Sequence, residues 1–144
     1  MSKPIYVLGG PNLNLLGTRE PEIYGRETLD DIHARLKDLA GSTPIEARQT
    51  NYEGELVSWI QEASREGSGV ILNAGAYTHT SVALHDALRA CTVPVVEVHL
   101  SNPAAREAFR QVNYVSPAVK ASIAGLGGYG YELALMAVRS LSGK

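Results

Sequence analysis

The sequence is poor in cysteine, in net charge and in long apolar runs, and each shortage excludes a class of protein. Its 144 residues contain one cysteine, Cys91, which cannot form an internal disulfide and so favours a reducing cytoplasm. The net charge of −2 provides no electrostatic attraction for nucleic acid or for an acidic membrane surface. The apolar run in the opening stretch MSKPIYVLGG is too short for a signal peptide or a membrane-spanning helix, and it predicts a buried strand instead. We therefore expect a cytoplasmic protein with neither nucleic-acid nor membrane partners.

Several chemical motifs are absent as well. The histidines and the cysteine lack the spacing of a metal site, so we predict no metal. The G-x-S-x-G motif of a nucleophile elbow is also missing. No linker, repeat or low-complexity segment marks a domain boundary. With 44% apolar and 19% charged residues, the chain has the composition of a globular protein, and we predict one domain over residues 1–144.

Five short apolar or alternating runs predict strands, and helical patterns lie between them. The predicted strands are residues 5–8, 45–51 (at an edge), 69–73, 93–100 and 121–126. The predicted helices are residues 29–39 with Thr28 as N-cap, 56–63, 82–90, 103–110 and 129–141. This alternation predicts an α/β fold, namely a flavodoxin-like, doubly wound, five-stranded parallel sheet in the order 2-1-3-4-5.

Polar side chains follow the first, third and fourth of these strands. They are Asn12, Asn14, Arg19 and Tyr24 after strand 1, Asn73, Thr78 and His79 after strand 3, and His99, Ser101, Asn102 and Arg110 after strand 4. These three strands are neighbours in the predicted order, and ligands of such sheets bind outside the carboxyl ends of the strands. We therefore expect the polar groups to converge on one crevice.

The segment GTREPEIYG, residues 17–25, is long and polar for a connection inside a compact domain. Gly17 and Gly25 are suited to hinge it as a lid that carries Arg19 and Tyr24 over the crevice. We place this lid at about residues 17–26. A solvated surface loop is the alternative, and the length of the segment alone leaves both interpretations open.

The residue types in this crevice suit a carboxylate-bearing ligand and acid–base chemistry. Arginine pairs with carboxylates, and Pro103 is suited to open a helix whose amino end favours an anion. Histidine transfers protons near neutral pH. Tyrosine, with a reference pKa of about 10, becomes a usable base when an adjacent arginine favours the phenolate.

The motif GLGGYG at residues 125–130 matches the G-x-G-x-x-G pattern of dinucleotide-binding proteins. It follows the last predicted strand, and no acidic residue lies about twenty positions further on, as a dinucleotide site requires. Close packing of a strand against a helix is the better explanation for these glycines.

Long blocks of the sequence together resemble one enzyme family. The blocks are GPNLNLLGTREPEIYG, NYEGELVSWI, LNAGAYTHTSVALHDAL, VEVHLSNPAAREAFR, YVSP and GLGGYGY. Over essentially the whole chain they resemble type II 3-dehydroquinate dehydratase. The resemblance implies a flavodoxin-like fold and dodecamers built as tetramers of trimers. It also implies elimination of water from 3-dehydroquinate to give 3-dehydroshikimate through an enolate, with neither metal nor cofactor. Whether the reaction serves the shikimate pathway of aromatic amino-acid biosynthesis or quinate catabolism stays open.

The resemblance also implies catalytic roles for five residues. Tyr24 matches the tyrosine that removes the C2 proton, and Arg19 matches the arginine that favours its phenolate. Asn12 matches the amide that orients a water molecule against the enolate oxygen. His99 matches the general acid that protonates the departing C1 hydroxyl, and Glu97 matches the carboxylate beside it.

Further positions match substrate-binding residues of the family. They are Asn73, His79 and Arg110 for the substrate hydroxyls, Leu100 and Ser101 for its carboxylate, and Asp86 for a contact made from a neighbouring subunit. Arg106 is interpreted as a surface or interface residue that is also able to support Arg110.

The sequence departs from the family pattern at positions that match no catalytic residue. These are Gln111, Val112 and Asn113, in a stretch where histidines are common, Tyr52 in place of a histidine, and Ala74 in place of a proline. Two other functions remain as alternatives: a flavodoxin-like module that binds a small anion, and a flavin domain. The tyrosine, arginine and histidine set disfavours the first, because binding alone needs no base and acid. The lack of a Ser/Thr-rich phosphate loop after strand 1 disfavours the second.

Overall fold

The computed structural model of the protein describes residues 2–18, 21–24 and 26–143, and the backbone alone of Ile23 and Tyr24. The strands are β1 (Ile5–Gly9), β2 (Ile45–Gln49), β3 (Gly69–Asn73), β4 (Val95–His99) and β5 (Ala121–Ala124). The helices are α1 (Pro21–Tyr24), α2 (Leu29–Ala40), α3 (Glu53–Glu66), α4 (Val82–Ala90) and α5 (Tyr129–Leu141). Short 3₁₀ turns cover Leu13–Leu15, Gly75–His79, Pro103–Ala105, Ala108–Gln111 and Ser116–Ala118.

All five strands run parallel in one sheet, in the order β2-β1-β3-β4-β5. The predicted fold class and strand order are therefore confirmed, and β2 lies at an edge as its alternating pattern predicts. The order reverses direction beside β1, so the carboxyl ends of β1, β3 and β4 meet at one edge of the sheet. That edge is where ligands bind in doubly wound folds.

The three inner strands are buried on both faces, which explains why they contain continuous apolar runs. Their side chains alternate between two apolar layers. Ile5 and Ile71 pack in the layer that contains the α2 and α5 residues, and Leu8 and Val70 pack in the layer that contains the α3 and α4 residues. At the other edge, β5 is largely exposed. None of the described helices is both long and apolar enough to cross a membrane.

Two helix starts are fixed by side-chain caps. The predicted cap Thr28 accepts a hydrogen bond from the Asp31 amide (3.1 Å), and the Asp31 carboxylate accepts one from the Thr28 amide (3.1 Å). This capping box begins α2, directly after the predicted lid. The Ser81 hydroxyl caps α4 by accepting from the Leu84 amide at 2.9 Å. Each such cap contributes about 1 kcal/mol to stability.

The predicted helix over residues 103–110 is wrong as a continuous helix. Two 3₁₀ turns form instead, because Arg106 and Glu107 between them adopt extended backbone angles. Pro103 does begin the first turn, and the Asn102 side chain caps it by accepting from the Ala104 amide at 3.2 Å. The amino end of a long helix is therefore not available to an anion at this place, so the side chains must supply the positive charge.

Candidate active site

A cleft that is open to solvent lies at the carboxyl ends of β1, β3 and β4. Seven of the predicted site residues line it: Asn12, Asn73, His79, His99, Leu100, Ser101 and Arg110. They come from the last residues of β3 and β4 and from the segments that follow β1, β3 and β4. The predicted convergence of the three strand ends is therefore what the described residues show.

Close backbone contact between β1 and β3 continues into the cleft. The Gly10 amide donates to the Asn73 carbonyl at 2.8 Å, and a Cβ on Gly10 would overlap the Ala74 carbonyl. Two residues further on, Asn12 has a φ of 70°, a left-handed conformation that asparagine tolerates better than most residues. Its amide donates to Asn51 Oδ1 at 3.1 Å. This sharp turn brings Asn12 to the cleft wall beside Asn73.

Asn73 ends the central strand β3 with its side chain almost fully buried. Its Oδ1 accepts from the Gly75 amide at 3.1 Å, so the carboxamide orientation is set and its NH₂ group is the part left for a neighbour or a ligand. The Tyr131 hydroxyl of α5 lies in the same buried region without a hydrogen bond of normal geometry. Burial raises the pKa of Tyr131 to about 12, an effect that the Asn73 side chain partly opposes, so this phenol stays neutral.

His99 and Glu97 form a hydrogen-bonded pair at the end of β4. Nε2 of His99 lies 2.5 Å from Oε2 of Glu97, and the Glu97 side chain is fully buried behind the histidine. Burial alone raises the pKa of Glu97, but the hydrogen bond and charge of His99, together with two serine hydroxyls, lower it to about 2. Glu97 is therefore ionised and accepts a hydrogen bond, so Nε2 of His99 must carry a hydrogen. Nδ1 is the ring nitrogen that this hydrogen bond does not use.

Three further side chains donate to Glu97, and sequence reasoning missed all of them. The hydroxyls of Ser116 and Ser122 donate to Oε1, the latter at 2.6 Å. Asn113 Nδ2 donates to Oε2 at 3.2 Å. The only sequence signal was the motif YVSP, which contains Ser116 but says nothing about a buried carboxylate.

The imidazole ring of His79 is oriented by a hydrogen bond to a backbone carbonyl. Its Nδ1 lies 2.7 Å from the Val112 carbonyl, and because a carbonyl only accepts, Nδ1 carries the hydrogen. In the neutral ring Nε2 is then an acceptor, which suits a substrate hydroxyl. His79 does not cap the nearby helix α4, because the Ser81 hydroxyl does.

Two arginines supply positive charge to the cleft. Arg110 Nε donates to Glu107 Oε1 at 2.8 Å, and its guanidinium lies 5.1 Å from the centre of the Phe109 ring. Arg106 also lines the cleft, and its Nη1 donates to the Ser101 hydroxyl at 3.3 Å. The interpretation of Arg106 as a surface or interface residue is therefore incomplete, because the residue belongs to the cleft wall.

The glycines of GLGGYG close on the strand that carries the site. The Gly125 amide donates to the carbonyls of His99 (3.2 Å) and Ser101 (3.1 Å), and the Gly127 amide donates to the Leu100 carbonyl at 3.0 Å. A Cβ on Gly130 would make only ordinary van der Waals contacts, with Ile123 at 3.4 Å and Val98 at 3.5 Å, so close strand–helix packing is the wrong explanation for this motif. Gly125 and Gly127 instead have positive φ angles of 87° and 58°, which the turn requires and glycine adopts readily. These hydrogen bonds fix the backbone of residues 99–101, which line the cleft.

Three predicted residues are not tested by this geometry. Arg19 lies outside the described residues, and so does the side chain of Tyr24, whose backbone ends α1. Asp86 is exposed on α4 and does not line this chain's own cleft. Their roles as activator, base and inter-subunit contact stay predictions. Across residues 2–18, 21–24 and 26–143, no group of three or more His, Cys, Asp or Glu side chains is placed to hold a metal ion.

The sequence as a whole matches known proteins over nearly its full length. A family model described as dehydroquinase class II matches residues 3–139. A protein of Hyphomonas neptunium named 3-dehydroquinate dehydratase is 74% identical and covers 100% of this chain and 98% of its own length. A protein of the same name from Phenylobacterium zucineum is 57% identical and covers 99% of both chains.

Solved structures agree with these sequence matches. The crystal structure of a type II dehydroquinase from Propionibacterium acnes superposes with a TM-score of 0.91 at 46% identity, over 97% of this chain and 98% of that one. That of a type II dehydroquinase from Butyrivibrio crossotus gives a TM-score of 0.92 at 37% identity, over 96% of this chain and 98% of that one. Sequence and fold thus agree, and the chain belongs to the class II dehydroquinase family.

Proposed function

We propose that this chain is a 3-dehydroquinate dehydratase, which eliminates water from 3-dehydroquinate to give 3-dehydroshikimate. The observation that carries the proposal is the cleft in which His99, backed by the buried Glu97, lies with Asn12 and Asn73. An elimination of this kind needs a base, a proton donor and groups that stabilise an enolate. The names of the relatives and the family membership support the same reaction.

The base of the reaction is Tyr24. Its phenolate removes a proton from C2, next to the ketone, and the electron pair moves onto the carbonyl oxygen to form an enolate. A free tyrosine is about one-thousandth ionised at pH 7, so an adjacent cation is needed to favour the phenolate. Arg19 is the residue we assign to this task, carried with Tyr24 on the lid of about residues 17–26.

The enolate oxygen is stabilised by a water molecule that Asn12 orients. Preorganised donors aimed at developing charge supply a large part of many enzymatic accelerations. The left-handed φ of Asn12 and the hydrogen bond from its backbone N–H to Asn51 Oδ1 fix the backbone from which this side chain projects. Lid closure would exclude bulk water and strengthen the interaction.

The leaving group departs with a proton from His99. When the enolate collapses, the C1–O bond breaks, a double bond forms between C1 and C2, and the hydroxyl takes the His99 proton to leave as water. Glu97 stabilises the imidazolium by accepting the Nε2 hydrogen at 2.5 Å. The proton that Tyr24 accepted and the proton that His99 lost are exchanged with solvent before the next turnover.

The substrate itself is held by groups on three strand ends. Asn73, His79 and Arg110 bind its hydroxyls, and Leu100 with Ser101 binds its carboxylate. We place this chemistry in one domain over residues 1–144, in the cytoplasm, within a homo-oligomer that is a dodecamer in the family pattern. Asp86 then completes the site of a neighbouring subunit. The product could serve either shikimate biosynthesis or quinate catabolism, because both use the same reaction.

The test is an absorbance assay with EDTA-treated protein and 3-dehydroquinate. We expect the ultraviolet absorbance of the conjugated enone to rise in the parent protein, and to rise at least about a thousandfold more slowly in Tyr24→Phe. Tyr129→Phe changes an exposed tyrosine of α5 and is the matched control, expected to retain the parent rate. A flat trace from folded parent protein would overturn the proposal and favour the small-anion binding module.

A further inference from the structure

Glu97 is a charged residue in the middle of β4, flanked on both sides by buried valines. Its side chain is fully buried on β4, next to Val96 and Val98. A buried carboxylate is strongly unfavourable unless nearby groups replace the hydrogen bonds that water would make. What surrounds Glu97 therefore decides whether it can serve as a fixed, ionised partner of His99.

The surroundings of Glu97 donate to both of its oxygens. Oε1 accepts from the hydroxyls of Ser116 and Ser122, and Oε2 accepts from His99 Nε2 and Asn113 Nδ2. These four hydrogen bonds match the acceptor capacity of an ionised carboxylate, which has about four lone-pair sites. If Glu97 were protonated, its own O–H would face groups that also donate, and at least one of these hydrogen bonds would be lost.

The orientation of the Asn113 amide is set independently of Glu97. Its Oδ1 accepts from the amides of Val115 and Ser116, both at 2.8 Å, so the NH₂ group must be the end that faces Glu97. The same NH₂ group donates to the Ser116 hydroxyl at 2.9 Å. Asn113 thus presents a donor that cannot turn into an acceptor without breaking two backbone contacts.

We propose that Asn113, Ser116 and Ser122 are positioning residues for proton transfer by His99, which they reach through Glu97. They hold the carboxylate in one orientation, so that Oε2 fixes the ring plane of His99 and keeps the hydrogen on Nε2. This inference deepens the proposed function and rests on it, because it takes His99 as the proton donor. It assigns a role to Asn113, one of the positions where the sequence departs from the family pattern.

The three residues come from the last part of the chain between β4 and α5, beyond the polar residues that the sequence assigns to the cleft. Asn113 and Ser116 lie in the connection before β5, and Ser122 lies on β5, an exposed edge strand. A hydroxyl that reaches inward from an edge strand can be removed without opening a hole in the apolar layers. Ser122→Ala should therefore affect stability little while it removes one hydrogen bond to Glu97 Oε1.

The experiment compares the double variant Ser116→Ala, Ser122→Ala with Ser122→Ala, Ser122→Thr and Ser58→Ala. We expect kcat of the double variant to fall about tenfold, with KM within about twofold of the parent value, and kcat of Ser122→Ala to fall less. Ser122→Thr keeps the hydroxyl and should restore the parent rate. Ser58 is an exposed serine of α3 and serves as the matched control.

The decisive measurement is the proton NMR resonance of the His99 Nε2–H in ligand-free protein, assigned by its loss in His99→Gln. A short hydrogen bond to a fixed carboxylate places this proton far downfield and protects it from solvent exchange. In the double variant we expect the resonance to move upfield and broaden, and Ser122→Thr to keep it sharp.

An unchanged resonance in the double variant would overturn the proposal, and a fall in kcat alongside it would then be a structural effect alone. The resonance needs no turnover. It therefore tests the positioning role even if the parent protein does not act on 3-dehydroquinate, a result that would count against the proposed function instead.

Discussion

At the scale of single residues, Glu97 combines full burial with a charge that must be retained. Its pKa of about 2 in the folded protein lies below the usual value of 4.5, because the donors around it outweigh the effect of burial. A carboxyl group whose folded pKa is depressed contributes stability above its unfolded pKa, and that contribution disappears as the pH falls through the folded value. Acid should therefore weaken the fold partly through this one residue.

We predict that Glu97→Gln flattens the acid dependence of stability. In the parent protein, the Glu97 contribution of about 3 kcal/mol should be complete above pH ~4.5 and lost progressively towards pH ~2. The measurement is the free energy of unfolding by denaturant at several pH values between about 5 and 2. The glutamine variant should be less stable than the parent at neutral pH and lose less stability on acidification. Glu66→Gln, at the exposed end of α3, is the control, and equal slopes for all three proteins would contradict the prediction.

Single residues also show what sequence reasoning can and cannot reach. Asn12, Asn73 and His99 were predictable as neighbours, because each follows a strand and the strand order places those ends together. Asn113 and Ser122 were not predictable as partners of Glu97. Their contacts depend on how the connection before β5 folds back onto β4, and no local periodicity encodes that geometry.

At the scale of elements, the ends of the predicted lid are anchored to the body of the protein. Gly17 lies against the Arg26 carbonyl and the Thr28 side chain, so the two ends of the segment are in contact. Glu27 forms an ion pair with Arg35 of α2, and Arg35 Nε also donates to Glu132 of α5 at 2.7 Å. The segment therefore begins and ends at one place, directly before the cap of α2.

We predict that Gly17→Ala impairs catalysis as well as stability. Gly17 has a φ of 89°, and a Cβ there would lie 2.8 Å from the Arg26 carbonyl oxygen. The variant should lose about 1–3 kcal/mol of stability, and its kcat should fall roughly tenfold because the lid ends are pushed apart. Gly41→Ala is the matched control, since Gly41 has a φ of 61° but open space around it. The measurements are thermal unfolding and steady-state kinetics of both variants. Full activity in Gly17→Ala would refute the prediction that contact between the lid ends is needed for catalysis.

Helical segments also differ in how well their sequence pattern predicts them. The Thr28 cap and the apolar spacing predicted α2, and the apolar spacing alone predicted α4, because capping and amphipathic periodicity are local properties. The run at 103–110 contains helix-forming alanines but breaks into two turns. Side-chain hydrogen bonds of Arg106 with Ser101 and of Arg110 with Glu107 accompany the extended backbone there, and intrinsic helix propensity does not include such contacts.

At the scale of the whole molecule, the alternation of strands and helices was sufficient to predict the sheet order, since right-handed crossovers leave few alternatives.

How copies of the chain assemble depends on the exposed surface of the molecule. Val82 and Asp86 lie one turn apart on an exposed face of α4, and Phe109 is exposed beside the cleft arginines. An apolar residue next to a carboxylate on such a face suits contact with another subunit.

We predict that two inactive variants restore activity when their subunits are mixed. If Asp86 completes a neighbour's site, Tyr24→Phe and Asp86→Ala subunits, unfolded together and refolded at equal amounts, should recover about a quarter of the parent activity. Each intact site would then combine Tyr24 from one subunit with Asp86 from the next. Light scattering should show a particle of about twelve chains. A stable monomer, or no recovery on mixing, would remove Asp86 from the site.

The glycine turn behind β4 has a consequence for local unfolding. Gly125 and Gly127 donate to the three consecutive carbonyls of residues 99–101, and the turn leads directly into α5, whose inner face is part of the apolar core. Leu100 and Ser101, the proposed binding residues for the substrate carboxylate, therefore cannot move away from the turn without breaking these hydrogen bonds at the start of a core helix. We therefore expect residues 99–101, the turn and α5 to unfold as one cooperative unit, so that substrate bound at Leu100 and Ser101 slows amide exchange in the turn and at the start of α5.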